Sequence, residues 1–231
     1  MKRFYKAVEV KQAGAAFGIA LDGRPVKTPG GEVIALRSAA LVEAIAAEWA
    51  GQGEKIDQRT MPLTALANTA QDHVARDRDA TLKLVEAFAR HDLVCYRAAD
   101  PPELAAREAH AWDAPLAWVR TRYDLDLKVT DGVGSIDQPG ATQAAVAHAL
   151  SRFDAFGLTG LVAAAGIMKS LVLALSLADG RLDAASAHAA AHVDETFQAE
   201  KWGRDCEAEA RLKTLFNELE DAERFMRLAA A

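Results

Sequence analysis

From residue 158 to residue 178 the chain is apolar except for small polar residues and one charge, Lys169. Such a segment has to be enclosed, either by lipid or by the rest of the protein. A lysine at mid-bilayer costs about 2.5–3.5 kcal/mol, and the stretch is rich in alanine and other small residues. It therefore reads as a helix buried at the centre of a helical core, and no stable membrane insertion is expected.

Strand signals are confined to the start of the chain. Residues 4–10 and 16–21 are short and rich in β-branched and aromatic side chains, with a turn signal at Gln12-Ala13-Gly14 between them. Asp22-Gly23 predicts a tight turn, residues 24–27 a third strand, and Pro29-Gly30-Gly31 leads into a last extended segment over 32–36. Ser38 is then placed as the N-cap of a helix through Leu41, Ile45 and Trp49. Further helices are expected from Pro62 to Val74, from Asp77 through Phe88, and after Pro101-Pro102 over Leu104 to Val119. Residues 92–97 fit either strand or loop. Leu125, Leu127 and Val129 alternate as a strand over 124–130 would, followed by a Gly132-Val133-Gly134-Ser135 loop. Helical runs over about 140–155, 158–178 and 183–228 close the chain, the last broken near Trp202-Gly203. The fold class is thus α+β, with an antiparallel β region over residues 1–37 and a mainly helical domain over 38–231.

Charge and cysteine content exclude several function classes. With 27 Lys+Arg against 33 Asp+Glu the net charge is −6, which lacks the electrostatic footprint of a nucleic-acid binder. The two cysteines, Cys95 and Cys206, are far apart and outside any CxxC spacing, so both read as small buried or half-buried side chains in a reducing compartment. The basic start Met1-Lys2-Arg3 is interrupted by Lys6, Glu9 and Lys11, so nothing there reads as a secretion signal.

The search for catalytic constellations yields little. His188 and His192 share a helix face at i and i+4, but Ala189 stands where the HExxH motif needs glutamate. Gly166 precedes Lys169-Ser170 without the spacing of a phosphate loop, and Gly132-Val133-Gly134 lacks the rest of a dinucleotide fingerprint. His91-Asp92 is an acid/base pair only in composition, since adjacent helical residues point apart. These side chains support one alternative, a metal- or acid/base-dependent enzyme on a helical scaffold. The residues otherwise favour a binding or structural protein over an enzyme, with no catalytic residue, metal or cofactor expected. Trp49, Trp112, Trp118 and Trp202 divide between core and interface roles, because tryptophan serves both. The stripe Leu212, Leu215, Phe216, Leu219 and Met226 suits a helix with one buried face.

Several strings are more specific than composition or helix propensity demands. Leu21-Asp22-Gly23-Arg24-Pro25-Val26-Lys27-Thr28-Pro29, Glu48-Trp49 with Gln52, Thr60-Met61-Pro62-Leu63-Thr64, Asp92 with Cys95-Tyr96-Arg97, Trp112-Asp113, Lys169-Ser170 and Phe197-Gln198 with Lys201-Trp202-Gly203 occur in this order. In them the chain resembles the assembly chaperones for the α subunit of the F1 sector of ATP synthase, from Arg3 to about Glu209. It departs in placing Ala114 before Pro115, and in passing straight from Gly203 to Arg204-Asp205-Cys206.

The resemblance implies a chaperone, not an enzyme. It would hold newly made F1 α subunit and prevent its aggregation until the β subunit takes its place. It also implies client contacts at Asp194 and Glu195, an acidic pair suited to a basic client surface. With Phe197, Gln198, Trp202 and Trp49 these form the expected client-binding set. The chaperone would be a monomer in the bacterial cytoplasm, or in the mitochondrial matrix if it is a processed eukaryotic form.

Overall fold

The structure, a computed structural model, describes residues 1–131 and 134–231. In chain order the strands and helices are β1 (Val8–Ala13), β2 (Ala16–Leu21), β3 (Arg24–Pro25), α1 (Ala39–Ala50), α2 (Pro62–Thr69), α3 (Arg78–Arg90), β4 (Tyr96–Arg97), α4 (Pro102–Tyr123) and β5 (Thr130–Asp131). There follow α5 (Gly140–Leu150), α6 (Ala155–Met168), α7 (Leu171–Ala178), α8 (Ala184–Ala191), α9 (Val193–Trp202) and α10 (Cys206–Ala230). The class is α+β, a small N-terminal antiparallel sheet followed by helices. Two compact units divide the chain.

The first unit comprises Met1–Arg78, Phe153–Gly160 and Arg224–Ala231. Its sheet has the order β1-β2-β3, with Val8 opposite Leu21 and Ala13 opposite Ala16 in the hairpin. The strand expected over 4–10 begins only at Val8. The segment expected over 32–36 forms isolated bridges, Lys27 to Val33 and Phe17 to Leu36, instead of a strand of its own. Ser38 caps α1 as anticipated, its Oγ accepting from Leu41 N at 3.1 Å and donating to Leu228 O at 2.6 Å. Leu41, Val42 and Ile45 of α1 join Ile19, Ile34, Leu36, Leu63 and Phe225 in the core of this unit.

Several residues of the recognised strings act here as hydrogen-bond clamps. The Glu48 carboxylate accepts from Leu63 N and Thr64 N, both at 2.8 Å, and from Thr64 Oγ1 at 2.6 Å, which satisfies the free N–H groups opening α2. Gln52 accepts from Asp57 N at 2.8 Å and donates to Thr60 Oγ1 at 3.0 Å. Beyond α2 the helix widens into a π-turn over Ala70–Val74. This turn carries Asp72, which accepts from Thr28 Oγ1 and Gly30 N, both at 2.7 Å. A Cβ at residue 30 would collide with that carboxylate, so a larger residue there would push Asp72 out of this clamp.

The second unit comprises Asp79–Arg152 and Leu161–Glu223. Trp112, Val119, Leu125, Leu150, Leu161 and Leu171 are fully buried in it. The indole of Trp112 donates to Ala190 O at 2.7 Å and so ties α4 to α8. β4 and β5 form a two-stranded parallel pair, Tyr96 opposite Thr130.

Four expectations are corrected here. The strand predicted over 124–130 is reduced to Thr130–Asp131. Asp124 ends α4 in the left-handed region at φ 55°, and the Gln138 side chain accepts from Lys128 N at 2.9 Å and donates to Lys128 O at 3.0 Å. An amide side chain thus occupies the position of a neighbouring strand. The continuous helix predicted over 158–178 is broken at Lys169, whose φ is 52°, and restarts at Ser170, whose Oγ accepts from Leu173 N at 3.0 Å. The predicted run 183–228 breaks at Gly203 as expected, but also at His192. Cys95 is buried, whereas Cys206 is exposed, contrary to expectation. Of the predicted loop beginning at Gly132, residues 132 and 133 lie outside the described residues. Among the described residues no helix is long and apolar enough to cross a membrane.

Candidate client-binding site

α9 brings together five of the six expected client-binding residues, on two different faces. Phe197 faces inward and is 5% exposed. The Arg107 guanidinium lies 5.1 Å from its ring centroid and the Lys201 ammonium 5.4 Å. Ion pairs from Arg107 to Glu200 at 2.7 Å and from Lys201 to Glu103 at 3.6 Å fasten this side of α9 to α4. Asp194, Gln198 and Trp202 follow one another at i, i+4 and i+8 along a second face. At 1.5 Å per residue, Asp194 and Trp202 are separated by about 12 Å along the axis. Trp202 is 79% exposed, far beyond what a core tryptophan shows. Trp49, the sixth residue, belongs to the first unit. It is half-buried, with its ring edge-on to Tyr5 at 5.7 Å and its carbonyl accepting from Tyr5 Oη at 2.7 Å.

The acidic end of this face has a buried neighbour that the sequence did not reveal. Glu108 on α4 is 1% exposed and accepts from Ala98 N at 2.7 Å. It is hydrogen-bonded to Asp194. Burial, and then the Asp194 carboxylate, push the Glu108 carboxyl well above the usual range. Asp194 Oδ1 is itself shielded from solvent and has no hydrogen-bond partner. Beside it lies a cleft of about 390 Å³ lined by Asp194, Glu195 and Gln198 from α9, by His192, and by Lys169 and Arg211.

The side chains that carried the enzymatic alternative are occupied otherwise. Asp92 is fully buried and accepts from the backbone N–H groups of Val94, Leu171 and Val172. His91 is exposed, with Nδ1 3.4 Å from Tyr96 Oη. The His188 and His192 rings are stacked at 4.2 Å, with His188 Nε2 3.0 Å from Leu212 O and His192 Nδ1 2.8 Å from His188 O. Burial and then the neighbouring His192 ring hold His188 below the usual imidazole range. Among the described residues no group of three His, Cys, Asp or Glu side chains is placed to hold a metal ion.

A family model described as ATP12 chaperone protein matches residues 2–120. The chain belongs to the ATP12 chaperone family. ATP12 proteins of known structure extend the likeness past the matched segment to the α9 site. Atp12 from Paracoccus denitrificans has a TM-score of 0.93 at 38% identity, covering 99% of this chain and 98% of that one. An aspartate-to-lysine mutant of the P. denitrificans protein gives 0.94 at 37%, over 99% and 97%. The mitochondrial protein atp12 of Schizosaccharomyces pombe is 22% identical over 214 residues, 87% of this chain and 74% of the relative. As an ATP12 protein, the chain is a chaperone of ATP synthase assembly. The specific strings of the first unit and of α4 fall inside the matched segment, and most of them are the clamps described above.

Proposed function

We propose that the chain holds unassembled F1 α subunit, shielding the surface that would otherwise aggregate, and yields it when the β subunit arrives. Membership of the ATP12 chaperone family supports this reading. The observation that carries it is α9, which bears Asp194 and the strongly exposed Trp202 along one face, with Glu195 beside Asp194, on a helix anchored to α4 by two ion pairs. Tryptophan is among the residues that most often anchor interface hot spots. The pair at Asp194 and Glu195 would set register and encounter rate more than bulk affinity, which suits a partner that must later be released. In this reading the protein acts as a monomer in the compartment where F1 is assembled, the bacterial cytoplasm or the mitochondrial matrix, and needs no cofactor.

The test is light scattering of F1 α subunit diluted from denaturant, with and without the protein, in the absence of ATP and metal. Suppression near one-to-one stoichiometry is expected, with no comparable effect on an unrelated aggregating protein. Equal aggregation with and without the protein would refute the proposal.

A further inference from the structure

The cleft beside α9 is lined by side chains of both charges, Asp194 and Glu195 from α9 together with Lys169 and Arg211. Lys169 and Arg211 are both exposed, and neither makes an ion pair among the described residues. Lys169 reaches this position because it sits at the break between α6 and α7 with φ 52°, a conformation that a side-chain-bearing residue rarely adopts. Its carbonyl accepts from Leu93 N at 3.0 Å, which holds the break in place. Non-glycine residues kept in the left-handed region cluster at functional sites.

Elsewhere in the same unit charged side chains find partners at short range, Arg97 with Asp113 at 2.9 Å and Arg107 with Glu200 at 2.7 Å. Lys169 and Arg211 do not, although acidic side chains line the same cleft. A space of about 390 Å³ is within the range that receives a ligand-sized group. The arrangement lacks a guest with donors for the acidic side chains and acceptors for the basic ones.

We infer that this cleft is a two-sign docking site for a client segment carrying a basic side chain against Asp194 and Glu195 and an acidic side chain against Lys169 and Arg211. The inference deepens the function proposed above and rests on it. It makes Lys169 and Arg211 specificity-determining contacts. A segment with only basic residues would meet repulsion from Lys169 and Arg211, which is how a holding chaperone rejects other cationic surfaces.

The experiment titrates F1 α subunit, diluted from denaturant, with wild-type protein and with Lys169→Glu, Arg211→Glu, Lys169→Arg and Asp194→Lys, at low and high salt. Thermal unfolding of each variant checks the fold. Lys169→Glu and Arg211→Glu should each raise the half-suppressing concentration about tenfold and flatten its salt dependence, while Lys169→Arg stays near wild type. If folded Lys169→Glu and Arg211→Glu suppress aggregation as well as wild type while Asp194→Lys does not, the two-sign site is overturned and the functional proposal stands. Failure of the wild-type protein itself to suppress would overturn both.

Discussion

Asp92 Oδ2 accepts a hydrogen bond from Leu171 N at 2.7 Å, joining residues 79 positions apart in the chain. The same oxygen accepts from Val172 N at 3.0 Å, and Oδ1 from Val94 N at 3.3 Å. One carboxylate therefore caps the start of α7 and holds the turn over Leu93–Cys95 against it. This is what allows the apolar run 158–178 to break and restart as α7 without leaving the buried backbone donors of Leu171 and Val172 unpaired.

Replacing that carboxylate should be costly. Asp92→Ala is expected to lose about 2–4 kcal/mol in urea-induced unfolding, because three buried donors lose their acceptor. Asp92→Asn, which keeps one acceptor oxygen, should lose about half as much. Equal stability of Asp92→Ala and wild type would show that the clamp contributes nothing.

Glu48 plays the same part in the first unit, capping α2 across the interval to Leu63 and Thr64. Glu48→Ala should destabilise by about 1–3 kcal/mol, and Thr64→Val by less, since the backbone bonds survive it. Both folded variants should still suppress client aggregation as the wild type does. Impaired suppression by a stably folded Glu48→Ala protein would move this residue from fold to function.

Glu108 predicts a pH dependence of stability. Burial raises its carboxyl above the ordinary value of 4.5, so the folded state binds a proton more tightly than the unfolded one. The stabilisation is complete below about pH 4.5 and is lost as pH rises through the folded-state value. Glu108→Gln mimics the protonated form. It should exceed wild type in stability by about 1–2 kcal/mol at pH 8, with the gap closing towards pH 5. A pH-independent difference between the two proteins, followed by chemical denaturation across that range, would contradict this assignment.

Asp194 and Glu195 are half-buried and Trp202 is exposed, so changing them should spare the fold. Asp194→Lys with Glu195→Lys, and separately Trp202→Ala, are each expected to weaken suppression of F1 α aggregation about tenfold or more while shifting the unfolding midpoint little. Unchanged suppression by both variants would remove α9 from the client surface.

The hairpin, the Ser38 cap, the helix opening at Pro62 and the break at Gly203 were legible in the chain because each depends on neighbours within a few residues. Turn dipeptides, cap hydroxyls and φ-restricted residues act locally, and the structure obeys them. The strand expected over 124–130 was misjudged for a related reason. Alternation reports which side chains are buried, and Leu125 and Leu127 are, but it does not report whether a second backbone arrives to pair. At Lys128 a glutamine side chain arrives instead.

The candidate site divides in the same way. Asp194, Glu195 and Trp202 could be picked out because the chain resembles a family there, and the spacing of Asp194 and Trp202 along one helix face follows from the helical period. The tertiary structure alone decided that Phe197 turns inward, that Glu108 lies against Asp194, and that Lys169 comes to line one cleft with Asp194 and Glu195. Hydrophobicity made the 158–178 run look like one uninterrupted helix, because apolar composition records the total free energy of burial and carries no mark of where a helix bends. The bend is set by Asp92, whose donors lie 79 and 80 residues away, and a hydrogen bond over that separation exists only once the fold has closed the distance.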